Sequence, residues 1–154
     1  MPGIIAKDTP LHEIVLRKYE KPAGLQGREL VRKLCLSTGL LQPGDSRDAV
    51  VDVLHCLLLA RKDQKHLDSE EIQQIVVQLR KQANIPLVGV APSNIRRQIK
   101  RLRDLFFVEK VKNTYRVTEF NKLHVLFQEK IEQFLLPSVL GRVKEYFQHA
   151  DEKL

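Results

Sequence analysis

Long apolar runs are missing from this sequence, and their absence excludes an integral membrane protein. The longest apolar run, Cys56–Ala60, is far shorter than the roughly 20 residues that an α-helix needs to cross a bilayer. The first residues, Met1–Gly3, have neither the basic head nor the apolar core of a secretion signal. We therefore expect a cytoplasmic protein without a membrane partner.

Cysteine is also scarce, with two residues in the chain, Cys35 and Cys56. Each lies in an apolar helical stretch, and a free cysteine behaves as a small hydrophobic residue, so we predict buried, reduced thiols. The five histidines are scattered, and none lies at metal-ligand spacing from a cysteine. We therefore predict neither a metal site nor a cofactor.

Motifs of enzymatic chemistry are absent as well. The sequence contains no Walker-type glycine loop, no Rossmann glycine fingerprint and no Gly-x-Ser-x-Gly nucleophile motif. The acids Asp68, Glu70 and Glu71 suit the start of a helix better than acid–base catalysis, because a helix N-terminus attracts negative charge. We expect that the protein is not an enzyme.

Acidic residues are nearly absent from one stretch, Pro92–Arg116. It contains eight lysines and arginines but only two acids, Asp104 and Glu109, while the whole chain has a net charge of +7. A concentrated positive charge indicates an anionic partner. The alternative is an ordinary solvated helix face, but such a face normally mixes acids with bases.

Apolar residues recur at helical spacing along most of the chain. The pattern predicts helices at His12–Tyr19, at Arg28–Leu36, from Asp45 or Ser46 onward, from Asp68 onward, and at Pro92–Leu105. Asp68 and Glu71 have the spacing of a capping box. In the last of these helices Ile95, Ile99 and Leu102 share one face, and the opposite face carries Ser93, Arg97, Lys100, Arg101 and Asp104.

The pattern changes to that of strands directly after this helix. Phe107–Val111 and Thr114–Thr118 are rich in β-branched and aromatic residues, which predicts a hairpin that turns at Lys112-Asn113. The predicted fold class is therefore mostly α with a small β-hairpin.

The helical pattern returns from Phe120 to the end of the chain. Two apolar pieces are separated by Pro137, which we expect to bend the helix between them. The second piece, Ser138–His149, has its apolar residues on one side, at Val139, Leu140, Val143, Tyr146 and Phe147.

Three helices followed at once by a hairpin, with positive charge on the third helix and the hairpin, resemble the winged helix–turn–helix family. The resemblance covers roughly Asp45–Glu119. It lies in Leu67-Asp68-Ser69-Glu70-Glu71-Ile72, Val90-Ala91-Pro92-Ser93-Asn94-Ile95, the apolar positions Ile99, Leu102 and Leu105, Phe107-Val108-Glu109-Lys110-Val111, and Thr114-Tyr115-Arg116-Val117-Thr118-Glu119. The sequence departs from the family at Phe106 and Phe107, where glycine is common, and in its longer connector before Pro92.

The resemblance implies binding of double-stranded DNA, with Pro92–Leu105 as the recognition helix and the hairpin as the wing. Arg97 and Lys100 oppose the buried stripe and would reach base edges in the major groove. Ser93 and Asn94 would bind a phosphate at the helix N-terminus. The remaining predicted contacts are to flanking phosphates from Arg96, Arg101 and Arg103, and to the backbone or minor groove from the wing residues Lys110, Lys112 and Arg116.

We divide the chain into an N-terminal arm with helices (1–44), a winged helix–turn–helix domain (45–119) and a C-terminal helical segment (120–154). The C-terminal segment has more apolar surface than a tail needs, so we expect a homodimer through 120–149. Such a dimer would set two recognition helices one DNA turn apart, roughly 34–36 Å. Folding of this segment back onto its own domain is the alternative.

The expected function is sequence-specific binding of double-stranded DNA by a dimeric transcriptional regulator, which would be associated with the nucleoid in a prokaryote. Two alternatives share the same fold. One is a DNA-binding protein for chromosome or plasmid maintenance or replication. The other is a scaffold subunit whose winged helix docks another protein.

Overall fold

The structure, a computed structural model, describes residues 7–154, so most of the predicted arm Met1–Pro10 lies outside the described residues. The elements are α1 (Gly27–Ser37), α2 (Ala49–Lys62), α3 (Ser69–Gln82), α4 (Pro92–Asp104), β1 (Val108–Val111), β2 (Thr114–Val117), a 3₁₀ turn (Thr118–Phe120), α5 (Leu123–Leu126), a π-helical segment (Phe127–Leu135) and α6 (Leu136–Lys153). The prediction of a mostly helical chain with one small hairpin is confirmed. Over residues 7–154, no helix is long and apolar enough to cross a membrane.

The helix α2 lies at the centre of the fold, with α1, α3, α4 and β2 packed around it. Its sequence is apolar on almost every side, and eight of its residues are buried: Ala49, Val50, Val51, Asp52, Val53, Leu54, Cys56 and Leu57. One continuous core extends from Val31 in α1 to Leu135 in the π-helical segment. The N-terminal helix and the beginning of the C-terminal helix therefore pack on the same core as the three helices between them.

A buried ion-pair network joins α1, α2 and α3. Arg80 of α3 donates to Asp48 Oδ1 at 2.9 Å and to Asp52 Oδ2 at 2.7 Å, and Arg28 of α1 binds the same two carboxylates from the other side, each at 2.9 Å. Arg80 is 1% exposed and Asp52 is fully buried. Arg80 Nε also donates to Pro86 O at 2.8 Å. Every charge of the network has a partner of opposite charge. Buried charges are tolerated under this condition, when they are paired and hydrogen-bonded.

The same network explains why α2 starts later than predicted. The sequence suggested Asp45 or Ser46 as the cap, but the helix begins at Ala49 and no side chain caps it. Asp48 flanks the first turn, and its carboxylate binds Arg28 and Arg80 instead of the free backbone amides. The Asp45 carboxylate accepts from Arg47 N within the preceding loop. The predicted capping box of α3, between Asp68 and Glu71, is confirmed.

The prediction of a helix at His12–Tyr19 is wrong, because this segment crosses the end of α1 as an extended strap. Arg17 N donates to Ser37 O at 2.9 Å, and the Arg17 guanidinium donates to Leu36 O at 2.8 Å. These tertiary bonds replace the local bonds of a helix. A Cβ built on Gly39, which has φ +74°, would lie 2.7 Å from Val15 Cβ, so glycine both ends α1 and lets the strap pass.

The hairpin forms where the sequence predicted it, with Val108 paired to Val117 and Val111 paired to Thr114. Its two-residue turn places Lys112 at φ 57°. The segment before α3 adds a single bridge to the outer edge of β2. There Leu67 and Tyr115 exchange two backbone hydrogen bonds, of 3.1 and 2.7 Å. The hairpin is thereby tied to the start of α3 as well as to the end of α4.

The chain runs as one helix from Leu123 to Lys153, and Pro137 lies inside this helix without ending it. The junction residues Leu126, Leu135 and Leu136 all have right-handed helical dihedral angles. Leu136 N–H donates to Ile131 O in the last π turn, and Pro137 lies in the first turn of α6, where a missing N–H is tolerated.

We predict that Arg80→Met lowers the free energy of unfolding by about 3–5 kcal/mol, because it leaves two buried carboxylates without one of their partners. The matched control is Lys81→Met, which removes an exposed cation from the next position of the same helix and should change stability by less than about 0.5 kcal/mol. Urea unfolding of both variants measures the difference. Equal effects would contradict a structural role for the network.

The network also predicts a pH dependence. Burial alone would raise the pKa of Asp48, but hydrogen bonds from Arg28 and Arg80 outweigh it, and the pKa is lowered. Ionised Asp48 therefore stabilises the fold above its unfolded pKa of about 3.9, and this contribution is lost as the pH falls through the lower folded value. In urea unfolding, Asp48→Asn should have a lower free energy of unfolding than the natural chain. The difference between the two should be largest near neutral pH and should become smaller in acid. A deficit that stays constant down to about pH 2 would contradict this.

Candidate nucleic-acid interface

The helix α4 has two faces of opposite character, as its sequence predicted. Ile95, Ile99 and Leu102 are buried against the core, which confirms the predicted apolar stripe. The side chains of Ser93, Arg96, Arg97, Lys100 and Arg103 are exposed. The side chains of Arg96, Arg97 and Arg103 make no hydrogen bond or ion pair with any other residue in 7–154, and Lys100 forms a solvent-exposed pair with Asp104 at 3.2 Å. We call these four cations the α4 basic face.

The connector between α3 and α4 is fixed by three side chains that bind its backbone. Gln73 donates to Val90 O at 2.9 Å, Arg80 donates to Pro86 O at 2.8 Å, and Asn94 donates to Gly89 O at 2.6 Å. The connector is longer than the tight turn of the family that the sequence resembles, but these bonds tie it to both helices. The orientation of α4 relative to α3 therefore depends on side chains as well as on apolar packing.

Two of the predicted binding residues on α4 do not belong to its basic face. Arg101 is half-buried on the flank of the helix, where it donates to Leu40 O and to Gln98 Oε1, so its predicted place on the exposed face is wrong. It lies one helical position away from Lys100, which turns it toward the end of α1. Asn94 is half-buried, donates to Gly89 and accepts from Gln98 at 3.0 Å. Both side chains hold neighbouring parts of the fold together.

The cations of the hairpin also divide into two groups. Lys110 and Lys112 are exposed, and Lys112 lies in the turn itself. Arg116 instead pairs across the strands with Glu109, at 2.6 Å, and its guanidinium lies 4.8 Å from the centre of the Phe120 ring. Arg116 therefore stabilises the hairpin, while the two lysines extend the exposed positive surface beyond α4.

An open groove of about 490 Å³ lies between α4 and β1 and joins the two exposed basic surfaces. Its charged lining residues are Lys100, Arg103, Asp104, Glu109 and Lys110. Burial acts to raise the pKa of Glu109, but hydrogen bonds from the Glu119 backbone N–H and from Arg116 lower it by more, so the net shift is downward. Glu109 is therefore ionised and committed to its own strand pair, which leaves Lys100, Arg103 and Lys110 as the positive lining of the groove.

The remaining candidates for reactive chemistry give no site in residues 7–154. Burial raises the pKa of both Cys35 and Cys56 to about 12, so that both thiols are protonated at neutral pH. No group of histidine, cysteine and acidic side chains within the described ranges is arranged to hold a metal ion. The exposed charged surface of α4 and the hairpin is the main functional candidate.

The sequence reading missed the residues that position this surface, Gln73 and Arg80. Asp52 offered a signal for the second of them, since an acid inside the apolar run Val50–Leu54 requires a buried partner. The sequence contained no comparable signal for Gln73, because an amide on a helix surface is ordinary.

Comparisons with known proteins supply no relative for this chain. No family model matches it, and neither a curated protein nor a solved structure is similar enough to be reported. Its function is therefore inferred from its own residues.

The division of the α4 cations predicts that two arginine substitutions will have unequal effects on stability. Arg101→Ala should lower the free energy of unfolding by about 1–2 kcal/mol, because it removes a charged donor from the Leu40 carbonyl and from Gln98. Arg97→Ala, four positions earlier, should change it by less than about 0.5 kcal/mol. Thermal or urea unfolding compares the two, and a larger loss in Arg97→Ala would contradict the assignment.

Proposed function

We propose that the protein binds double-stranded DNA in a sequence-specific manner, as a dimeric transcriptional regulator. In this proposal α3 and α4 form a helix–turn–helix, α4 is the recognition helix, and the hairpin β1–β2 is the wing. The observation that carries it is the α4 basic face, where Arg96, Arg97, Lys100 and Arg103 are exposed and Asp104 is the one acid within the helix.

The order of elements supports this proposal. A central helix (α2) is followed by a bridged segment at Leu67, two helices joined by a fixed connector, and a hairpin whose second strand pairs with that same segment. This order matches the winged helix–turn–helix pattern that the sequence resembles.

The shape and charge of α4 suit the major groove of DNA. An α-helix fits this groove, and side chains opposite its buried face reach the base edges. Arg97 and Lys100 occupy that position, opposite Ile95, Ile99 and Leu102. Arg103 shares the groove with Lys110 of the hairpin, and Arg96 lies beside the start of α3, so both are suited to phosphates that flank the base contacts.

Neutralisation of DNA phosphates releases counterions, so the affinity of a true DNA binder falls steeply with salt. We expect Arg103→Ala to reduce the slope of log affinity against log salt by about 0.9, as one phosphate contact is lost. Arg97→Ala should weaken binding to the preferred sequence by about 1–3 kcal/mol while weakening binding to other sequences less. Titration of a fluorescent duplex at several salt concentrations gives both quantities, once selection from random DNA has supplied the preferred sequence.

The matched control is Lys81→Ala, which removes an exposed cation from α3 outside the proposed interface. It should leave both the affinity and the salt slope unchanged. If Arg97→Ala and Arg103→Ala bind DNA as tightly as this control does, the α4 basic face does not bind DNA. If the natural chain itself shows no salt-dependent binding to duplex DNA, the proposed function fails as a whole.

A further inference from the structure

The helix α6 presents an apolar stripe that nothing in residues 7–154 covers. None of its residues is buried, and Leu140, Val143, Tyr146 and Phe147 are 48%, 45%, 73% and 70% exposed. Leu136, Leu140, Val143, Phe147 and Ala150 follow one another at spacings of four, three, four and three residues. This alternation is that of the a and d positions of a coiled coil, whose stripe stays on one side of a helix paired with another helix.

The helical stretch that leads into α6, Leu123–Leu135, is anchored to the body of the protein. Leu126, Ile131 and Leu135 are buried in the common core, and the Phe134 ring meets the Phe106 ring edge-on at 6.2 Å. Val139 is the last residue of the helix that packs against the core. The helix therefore leaves the body near Val139 with its direction already fixed, and its apolar stripe continues into solvent.

We propose that α6 pairs with α6 of a second copy of this chain as a parallel two-stranded coiled coil. This inference rests on the proposed dimeric DNA binding and specifies where and how the two copies meet. A short coiled coil is marginal when its helices must form at the same time, because helix nucleation is costly. Here the anchored segment before α6 has already nucleated the helix, so pairing orders much less of the chain.

The charges beside the stripe favour the parallel orientation. With Val143 at a d position, Lys144 and Asp151 occupy e positions, and Val139 and Tyr146 occupy g positions. In a parallel pair each g residue faces the e residue five positions later in the other chain, which brings the Tyr146 hydroxyl to Asp151 and Lys144 to Val139. An antiparallel pair that matches the same apolar layers brings Lys144 next to Lys144 of the second copy. Like charges at that position are unfavourable.

Parallel pairing has a consequence for DNA binding. Both bodies lie at the same end of the coiled coil, so both α4 helices can face one duplex.

The large ring of Phe147 shares its stripe with the small Ala150 one turn later, which leaves room for two such rings across the dyad.

Sedimentation velocity of the full chain tests the pairing. The natural chain should be a dimer. Val143→Glu should weaken dimerisation by on the order of 100-fold, because each copy then contributes one unpaired charge to the buried stripe. The matched control Gln148→Glu adds the same charge on the other side of α6 and should remain dimeric. A monomeric natural chain, or equal dimerisation of the two variants, overturns the proposal, whatever the DNA titrations show.

A cysteine variant tests the orientation. In a parallel pair Val143→Cys faces its own copy and should form a disulfide on mild oxidation, whereas Gln148→Cys should not. An antiparallel pair places Val143 opposite Phe147 and gives a dimer without this crosslink, which would overturn the parallel arrangement. Arg97→Ala should stay dimeric while it loses DNA affinity, so that failure of the coiled coil and failure of DNA binding are observed separately.

Discussion

Four charged residues, of which Asp48, Asp52 and Arg80 are buried and Arg28 is half-buried, set the geometry on which the rest of this structure depends. Arg28, Asp48, Asp52 and Arg80 tie α1, the start of α2 and the end of α3 to one point. Burial works against the charged form of Arg28, but its bonds to Asp52 and Asp48 dominate and raise its pKa above the ordinary value. Because each charge has its partners, removal of any one leaves the others uncompensated in a medium where charge is costly.

This network reaches the candidate interface through a single side chain. Arg80 uses its Nη1 atom for the two aspartates and its Nε atom for the carbonyl of Pro86 in the connector before α4. At the other end of α4, Phe106 has φ 67°, a conformation that favours glycine, and the Thr118 hydroxyl binds its carbonyl at 2.8 Å. Both ends of α4 are therefore held by specific contacts, and its exposed cations project from a rigid support.

Much of this fold follows from local sequence patterns. The stripe of Ile95, Ile99 and Leu102, the capping box at Asp68 and the two-residue turn at Lys112 were predictable, because each depends on residues close together in the chain.

The errors arose where distant residues decide the outcome. The strap at His12–Tyr19 is extended because Arg17 binds carbonyls at the end of α1. Arg101 leaves the exposed face because the carbonyl of Leu40 lies within its reach. Periodicity describes one element at a time, so it predicted the basic face of α4 but not which of its cations are already engaged.

We propose that the exposed cations of α4 and the hairpin form one surface that contacts DNA. Lysine acetylation of the full chain, with and without duplex DNA and read by mass spectrometry, tests it most directly. Lys100, Lys110 and Lys112 should be protected by DNA, whereas Lys62 on α2 and Lys81 on α3, both exposed, should react equally in both conditions. Protection of Lys62 and Lys81 without protection of Lys100 and Lys110 would contradict the account.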